Sequence, residues 1–382
     1  MIGNALLDIA EGLQTGNLTK KVKIGLTLDG SEHGNENLIQ GALRAMERYV
    51  DVEVVLIGDV DIDNCKVVKT EKGDVHKTME RLLDEGEIDA CVTMHYNFPV
   101  GVSTVGRVIT PGRGKEMILA TTTGTSDTGR RKAMIKNAIN GIIVAKSIGI
   151  KNPTVGVLNL DNARNVEKSL KALKENGYDI DFGESERADG GNIMRGNDLL
   201  TGSVDVMVTD TLTGNILMKM FSSFTTGGTY ESSGYGYGPG IGKDYNRLIL
   251  IISRASGVPV VENAIKYAAE LYKNNVFKIQ KNEYSNAENC GLNKILSSFN
   301  KRNQEEEIDI PMPEKEVATG TITGIDIMEL EMASKVLWKN GIYAESGMGC
   351  TGPIILVNEE KISKALEILA REGYPVKDGS PC

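Results

Sequence analysis

Short apolar runs alternate with amphipathic stretches along most of the chain. Residues 22–28 and 52–57 are apolar almost throughout, which is typical of strands buried on both faces of a parallel sheet. Residues 38–49 and 75–83 carry apolar side chains at helical spacing. The same alternation continues to about residue 272, and it predicts an α/β fold with a doubly wound parallel sheet.

Polar, glycine-containing loops follow the predicted strands. Because ligands bind at the carboxyl ends of the strands in such sheets, these loops are the expected functional site and are expected to share one cleft. The remaining predicted strands are 88–93, 117–120, 154–158, 204–208 and 248–252, and the remaining helices are 131–148, 166–174, 216–224 and 260–272. The loops are 29–34, 94–97, 121–127, 159–162, 210–215 and 236–242.

The pattern changes after residue 299. Residues 300–316 are mostly charged and contain two prolines, which predicts a linker between a main domain (21–299) and a smaller unit (317–382). The smaller unit reads as a helix, two strands flanking Cys350 and a second helix, an α+β appendage of α-β-β-α order. Residues 1–20 are predicted to form an amphipathic helix without the features of a signal peptide.

Composition narrows the possible partners and compartments. A net charge of −9 argues against binding to nucleic acid or to an anionic membrane, and no apolar run reaches the length of a membrane span. Five cysteines without a CxxC pair favour reduced thiols in the cytoplasm. No cofactor and no metal site are expected.

The loop from Ser346 to Pro353 sets one thiol, Cys350, among three glycines between two short apolar runs. Glycine lets backbone amides approach a bound anion or oxyanion, so this loop is a candidate site that presents its thiol to a ligand. The alternative is a strand-joining turn with a small buried thiol. Cys91 is a rival thiol close in sequence to His95, and it too can be read as a buried core residue.

The loop from Asp210 to Asn215 is the most informative in the main domain. Thr213, Gly214 and Asn215 place a hydroxyl, free backbone amides and a side-chain amide at a predicted helix N-terminus, which suits phosphate or an oxyanion. The alternative is helix capping by Thr213 or Asn215. Residues 130–132, Arg-Arg-Lys, open another helix and favour either an anion site or a solvated face.

Two histidines fall in the strand-end loops. Either His33 or His95 can act as a base or donate a hydrogen bond to a substrate carbonyl. No metal-ligand spacing joins them.

Several of these loops resemble the phosphate acyltransferase family of phospholipid synthesis. The similarity covers roughly residues 20–280 and is carried by Asp29 with His33-Gly34, by residues 145–159 and by residues 208–215. The resemblance implies a fold similar to phosphotransacetylases and isocitrate-type dehydrogenases, usually dimeric. It implies formation of acyl phosphate from an acyl carrier protein thioester and inorganic phosphate.

With the appendage included, the whole chain resembles the family of alpha subunits of component C of the glycine, sarcosine and betaine reductase complexes of amino acid fermentation. That resemblance implies an acetyl thioester on Cys350, received from selenoprotein component A and released by inorganic phosphate as acetyl phosphate. It also implies a beta subunit of component C as partner, and a homo-oligomer is expected.

The residues assigned to this reaction fall into two groups. Cys350 and Asn215 are the predicted catalytic residues, with the backbone amides of the Cys350 loop stabilising the oxyanion. The predicted substrate- and phosphate-binding residues are Asp29, His33, His95, Asn97, Asn159, Arg164, Asp210, Thr213, Gly214, Gly349 and Gly352. Two alternatives stay open: a stand-alone phosphate acyltransferase in which Cys350 is incidental, and a non-catalytic subunit that only binds its partner.

Overall fold

The computed structural model of the protein describes residues 21–71, 73–187, 190–305, 311–325, 329–349 and 352–379. The chain divides into two compact units. Unit 1 comprises Met1–Leu158 and Val166–Leu292, and unit 2 comprises Asn159–Asn165 and Asn293–Cys382. The helix predicted at 1–20 lies outside the described residues.

Unit 1 is built on one large sheet, in which twelve strands are described. They are β1 (Val22–Thr27), β2 (Val52–Ile57), β3 (Lys66–Val68), β4 (Ala90–Thr93), β5 (Val102–Ile109), β6 (Glu116–Thr125), β7 (Thr154–Leu158), β8 (Asp181–Phe182), β9 (Ile193–Met194), β10 (Val206–Val208), β11 (Gly238–Ile241) and β12 (Ile249–Ile251).

The structure describes nine α-helices up to residue 305. They are α1 (Gly34–Arg48), α2 (Val75–Asp84), α3 (Arg130–Ser147), α4 (Ala163–Glu175), α5 (Gly196–Thr201), α6 (Thr211–Ser223), α7 (Val258–Lys273), α8 (Val276–Asn289) and α9 (Leu292–Glu305). Because α9 continues to residue 305, the linker predicted from residue 300 begins inside a helix.

The sheet is mostly parallel, which confirms the predicted α/β class. Its order is β3-β2-β1-β4-β12-β11-β5-β6-β10-β7-β8, with β9 paired to β7. Three successive antiparallel pairings, β12 with β11, β11 with β5 and β5 with β6, lie in the middle. The parallel group containing β1 and β4 therefore runs opposite to the parallel group containing β6, β10 and β7.

Two stretches predicted as loops are strands of this sheet. Residues 121–125 belong to β6, and residues 238–241 form β11. Buried hydroxyls make the first stretch compatible with a strand, because Thr122 Oγ1 lies 2.7 Å from Thr104 Oγ1 and donates to Tyr237 O at 2.7 Å. In the second, a Cβ on Gly238 would lie 1.8 Å from Val105 O, so glycine permits the close strand approach.

Unit 2 contains a second, four-stranded antiparallel sheet. Its order along the chain is β13 (Gly320–Thr323), α10 (Leu330–Lys339), β14 (Ala344–Gly349), β15 (Gly352–Val357), α11 (Ile362–Arg371) and β16 (Lys377–Gly379). The strand order β14-β15-β13-β16 is that of a ferredoxin-like βαββαβ unit. The predicted α-β-β-α order thus omits the two short flanking strands, β13 and β16.

One face of the unit 2 sheet forms its core. Ile322, Ile355 and Val357 are fully buried, whereas Ile354 and Leu356 point to the other face and are only partly buried. Trp338 packs against this core and donates its indole N–H to Ala344 O at 2.9 Å. The alternation of buried and half-buried residues is the pattern of a sheet covered on one side.

Candidate functional site

Asp210 organises the N-terminus of α6. Its Oδ1 accepts a hydrogen bond from Thr213 N at 2.8 Å, and its backbone carbonyl accepts one from Gly214 N at 2.9 Å. Asp210 is therefore the capping residue, in place of the predicted Thr213 or Asn215. The amides of Thr213 and Gly214, predicted to be free, are occupied, which leaves the first-turn amides of Thr211 and Leu212 as the donors of this helix end.

Gly214 brings α6 into direct contact with β6. A Cβ at this position would lie 1.7 Å from Thr121 O, so only glycine fits. The same carbonyl accepts a hydrogen bond from Thr209 Oγ1 at 3.0 Å, and Asn215 Nδ2 donates to Thr122 O at 3.1 Å. The side-chain amide of Asn215 thus fixes α6 to β6, and the Gly214 position serves close packing.

A cation is paired with the Asp210 carboxylate. Arg130, the first residue of α3, places Nη2 2.5 Å from Asp210 Oδ2. Burial raises the pKa of Asp210, but the hydrogen bonds from Thr213 N and Arg130 outweigh it, so the pKa lies below its ordinary value. At the same strand end, Lys136 Nζ lies 2.6 Å from Asp127 Oδ2. The helix start predicted as an anion site or a solvated face therefore carries a positioned guanidinium.

A buried polar network lies beneath this loop. Asn137 Nδ2 donates to Thr209 O at 3.0 Å, and Asn137 Oδ1 accepts from Ser126 Oγ at 2.5 Å. Asn140 Nδ2 donates to Ser126 Oγ at 3.3 Å, and Asn140 Oδ1 accepts from Tyr284 OH at 2.7 Å. These side chains hold the residues before Asp210 and the end of β6 in one arrangement.

Sequence reasoning missed Asn137 and Asn140 as supporting residues. The signal was present, since two asparagines three positions apart interrupt the mostly apolar middle of α3. Both are buried, and a buried asparagine needs hydrogen-bond partners.

The histidine loops form a different group. Asp29 and His33 follow β1 and are exposed, and the ring of His33 makes an edge contact with Tyr230 at 6.1 Å. His95 and Asn97 follow the neighbouring strand β4 and are exposed, with His95 6.1 Å from the ring of His76. These loops lie at adjacent carboxyl ends, as expected.

The structure does not bring the two groups into one cleft. The strands that precede His33 and Asp210 run in opposite directions, so their carboxyl ends lie at opposite edges of the sheet. Asp210 caps the start of α6, and Tyr230, seven residues after the end of that helix, contacts His33. Thirteen helical residues span about 20 Å, which separates the two groups. The prediction of one shared cleft is wrong because the antiparallel strands in the middle of the sheet were missed.

Asn159 and Arg164 belong to unit 2. Asn159 is exposed and directly follows β7. Arg164 Nη1 donates to Gly324 O at 2.7 Å, and next to it Asn165 Nδ2 donates to Glu329 Oε1 at 2.6 Å. The described contacts of Arg164 and Asn165 therefore tie residues 159–165 to the rest of unit 2.

Cys350 lies outside the described residues. The β14–β15 ladder is described from Ala344 opposite Val357 to Gly349 opposite Gly352. The glycines that flank Cys350 in the sequence are thus the last described pair of the ladder.

Cys91 lies in the core. It is fully buried in β4, and burial raises the pKa of its thiol far above the ordinary value. A Cβ on Gly25 of the neighbouring strand would lie 3.0 Å from its sulfur. The reading of Cys91 as a thiol that approaches a cleft is contradicted, and its interpretation as a packed core residue is the correct one.

Within the described ranges, no three His, Cys, Asp or Glu side chains are grouped so that they could hold a metal ion. The described helices include none with the length and apolar character needed to cross a membrane.

Comparison with known proteins shows which family the chain matches. The family model for "Fatty acid synthesis protein" matches residues 22–356. The chain is 60% identical to the glycine/sarcosine/betaine reductase complex component C subunit alpha of Peptoclostridium acidaminophilum, over 98% of both proteins. It is 27% identical to the phosphate acyltransferase of Thermotoga petrophila over 52% of this chain and 67% of that protein. A solved branched-chain phosphotransacylase from Enterococcus faecalis V583 aligns at 18% identity with a TM-score of 0.46, covering 65% of this chain and 99% of that one.

Proposed function

We propose that this chain is the acyltransferase subunit of a glycine/sarcosine/betaine reductase complex. The chain belongs to the family of the alpha subunit of component C of such complexes. It holds an acetyl group as a thioester on Cys350 and transfers it to inorganic phosphate. The observation that carries the proposal is the 60% identity over 98% of the chain, which includes the Cys350 hairpin as well as the main domain.

The proposed transfer is an acyl substitution. A phosphate oxygen attacks the thioester carbonyl carbon, a C–O bond forms, and the C–S bond breaks with the electron pair leaving on sulfur. The products are acetyl phosphate and the Cys350 thiolate. A thiolate suits this exchange because it is both a good nucleophile for loading and a good leaving group for release.

The phosphate is assigned to the Asp210 loop of unit 1. There, the first-turn amides of Thr211 and Leu212 point out of the N-terminus of α6, where the helix dipole favours an anion. Arg130 is held beside them by Asp210. The hydrogen bonds of Asn215 and of Asn137 fix this arrangement before phosphate arrives, which supports a preorganised site.

The partners follow from the same assignment. The beta subunit of component C and selenoprotein component A, the acyl donor, are the proposed protein partners in the cytoplasm, and the chain itself is proposed to form a homo-oligomer. No cofactor is assigned to this chain, and phosphate is a co-substrate.

The decisive experiment locates the acetylated cysteine. The reconstituted complex is given acyl donor without phosphate, and peptides are analysed by mass spectrometry for an added acetyl group. We expect the label on Cys350, its loss on adding phosphate, and no acetyl phosphate from Cys350→Ser. Cys91→Ala is the matched control and should keep both label and product. Unchanged acetyl phosphate formation by Cys350→Ser contradicts the assignment.

A second candidate is a phosphate acyltransferase that works without Cys350. It is favoured by the relatives of that name, whose similarity covers 52% of this chain. Incubating the purified chain with a long-chain acyl carrier protein thioester and phosphate separates the two. Acyl phosphate formation that survives Cys350→Ser supports this candidate, and its absence excludes it.

A further inference from the structure

Two segments of unit 1 meet at the loop assigned to phosphate. One is the start of α6, which follows β10, and the other is the end of β6 with the start of α3. The proposed donors are divided between them, because the amides of Thr211 and Leu212 belong to the first segment and the guanidinium of Arg130 belongs to the second. An anion held by both segments requires that they keep a fixed distance from each other.

Thr211 joins the two segments through its side chain. It is the first residue of α6, and its Oγ1 donates a hydrogen bond to Gly124 O at 2.8 Å. Gly124 lies in β6 with a φ of 72°, and a Cβ at this position would lie 2.7 Å from Val102 O. Close packing against the neighbouring strand therefore requires glycine here, and the hydroxyl of Thr211 is bonded to a carbonyl that the sheet holds in place.

Helix capping does not explain the hydroxyl of Thr211. The side chain that caps α6 is that of Asp210, whose Oδ1 accepts a hydrogen bond from Thr213 N at 2.8 Å. Thr211 donates across to β6 instead, so its hydroxyl connects two elements that lie 87 residues apart in the chain.

The bond from Thr211 is the outermost of three bonds to successive carbonyls of β6. Counted towards the carboxyl end of the strand, the donors are Thr209, Asn215 and Thr211, and the acceptors are Thr121 O, Thr122 O and Gly124 O. Since the phosphate is assigned to this end of the strand, the Thr211 bond is the nearest of the three to it.

The ion pair between Arg130 and Asp210 cannot replace this bond when phosphate is present. The side chain of Arg130 is 44% exposed, and an exposed ion pair contributes little to holding two segments together. A bound phosphate also competes with Asp210 for the same guanidinium. The hydrogen bond between Thr211 and Gly124 joins two uncharged groups, so it persists whichever anion Arg130 contacts.

We propose that Thr211 is a positioning residue for phosphate. Its hydroxyl holds the first turn of α6 against the end of β6, so that the amides of this turn and the guanidinium of Arg130 converge on one phosphate. This inference rests on the proposed function and adds to it a side chain that acts without touching phosphate. Because Thr211 acts on phosphate binding and not on bond making or breaking, its loss should change KM for phosphate and leave kcat and the loading of Cys350 unchanged.

The test compares variants with and without the hydroxyl in the reconstituted complex. Thr211→Val should raise KM for phosphate about 5- to 10-fold, the effect of one neutral hydrogen bond, with kcat changed by less than about twofold. Thr211→Ala should reproduce this result without the bulk of valine, and Thr211→Ser should return KM to within about twofold of the wild type, since it keeps the hydroxyl. The matched control is Thr225→Val, because Thr225 Oγ1 lies 2.9 Å from Ser232 Oγ beyond the other end of α6, and it should leave KM unchanged.

Measuring the loading of Cys350 separates this inference from the proposed function. Without phosphate, mass spectrometry should show equal acetylation of Cys350 in the wild type and in Thr211→Val, and release should then require about 5- to 10-fold more phosphate in the variant. A wild type that is not acetylated at Cys350, or whose acetyl group phosphate does not release, overturns both. With a working wild type, an unchanged KM in Thr211→Val and Thr211→Ala, or a Thr211→Ser variant no better than these, overturns the role of Thr211 alone. A lower melting temperature at unchanged KM does the same, because it would show that the hydroxyl only supports the fold.

Discussion

The Asp210 loop of unit 1 and the β14–β15 hairpin of unit 2 are positioned by different means. Beneath the first, buried hydroxyls and amides form a hydrogen-bonded network that includes Asn137 and Ser126. The second is held by apolar packing on one face of a small sheet, through Ile355 and its neighbours. A network fixes the direction of its polar groups as well as their distances, which suits binding of a small anion, whereas one-sided apolar packing fixes only which face of the hairpin is buried.

The largest expected effect is at the contact between α6 and β6. Gly214→Ala puts a methyl group where Thr121 O now lies, so α6 must move away and lose its hydrogen bonds to β6. We expect a loss of about 4 kcal/mol or more in unfolding free energy, measured by urea denaturation. The control is Gly196→Ala, in the first turn of α5, where a Cβ meets no atom within 4 Å. Equal stability of the two variants contradicts the close packing.

In unit 2, substitutions on the buried face of the sheet should lower the stability much more than substitutions on the other face. Ile355→Ala removes a fully buried side chain and should cost about 3 kcal/mol, whereas Ile354→Ala, on the partly exposed face, should cost about 1 kcal/mol. Trp338, the single tryptophan of the chain, lies against this core, so its fluorescence reports the unfolding of unit 2 directly. A reversed order for the two variants would mean that the other face of the sheet is the packed one.

Much of the fold was predictable where the apolar pattern is strong. The prediction for β2 matches the strand, and that for β1 is one residue too long, because continuous apolar runs are typical of strands buried on both faces. Strands β5 and β11 were missed because polar residues, glycine and proline interrupt their apolar positions, for example at Thr104 and Gly238. Their burial depends on cross-strand hydrogen bonds and close backbone approach, which appear only when the partner strands are known.

The sequence identified residues of the site, but it did not identify which residues from other elements contact them. Asp210 and Asn215 were identified as a helix-terminal group, and the structure has a helix there, but it begins at Thr211, five residues before the predicted start at residue 216. Arg130, which pairs with Asp210, and Asn137, which donates to Thr209 O, come from a helix some 80 residues earlier in the chain, so no local pattern joins them to this loop. The separation of His33 from this group follows from strand direction, which is a property of the whole sheet.

Two substitutions of Asp210 test how much of the stability of this loop depends on the carboxylate charge. Asp210→Ala removes the helix cap and the partner of Arg130 and should cost about 2 kcal/mol, while Asp210→Asn keeps a capping oxygen and should cost about 1 kcal/mol. Urea denaturation of both variants at pH 7 checks the order.

The charge of the Asp210 carboxylate also predicts that the folding stability depends on pH. The folded-state pKa of Asp210 lies below its unfolded value of about 3.9, so its stabilising effect is complete above that pH and is lost as the pH falls through the folded-state pKa. The stability difference between the wild type and Asp210→Asn should be constant from about pH 8 to pH 5 and should shrink below about pH 4. A difference that stays constant in acid would show that the charge contributes nothing.

The smallest expected effect concerns the far end of the buried network. Tyr284→Phe removes the hydroxyl that donates to Asn140 Oδ1 at 2.7 Å and leaves a buried acceptor without that bond. The expected cost is about 1 kcal/mol in unfolding free energy. Tyr230→Phe, on an exposed tyrosine, is the control and should be neutral. Because Asn140 shares Ser126 with Asn137, the variant should also raise the hydrogen-exchange rates of α6 amides near Asp210. A stability loss without any change in those rates would mean that Tyr284 supports packing only and that the network does not extend to the loop.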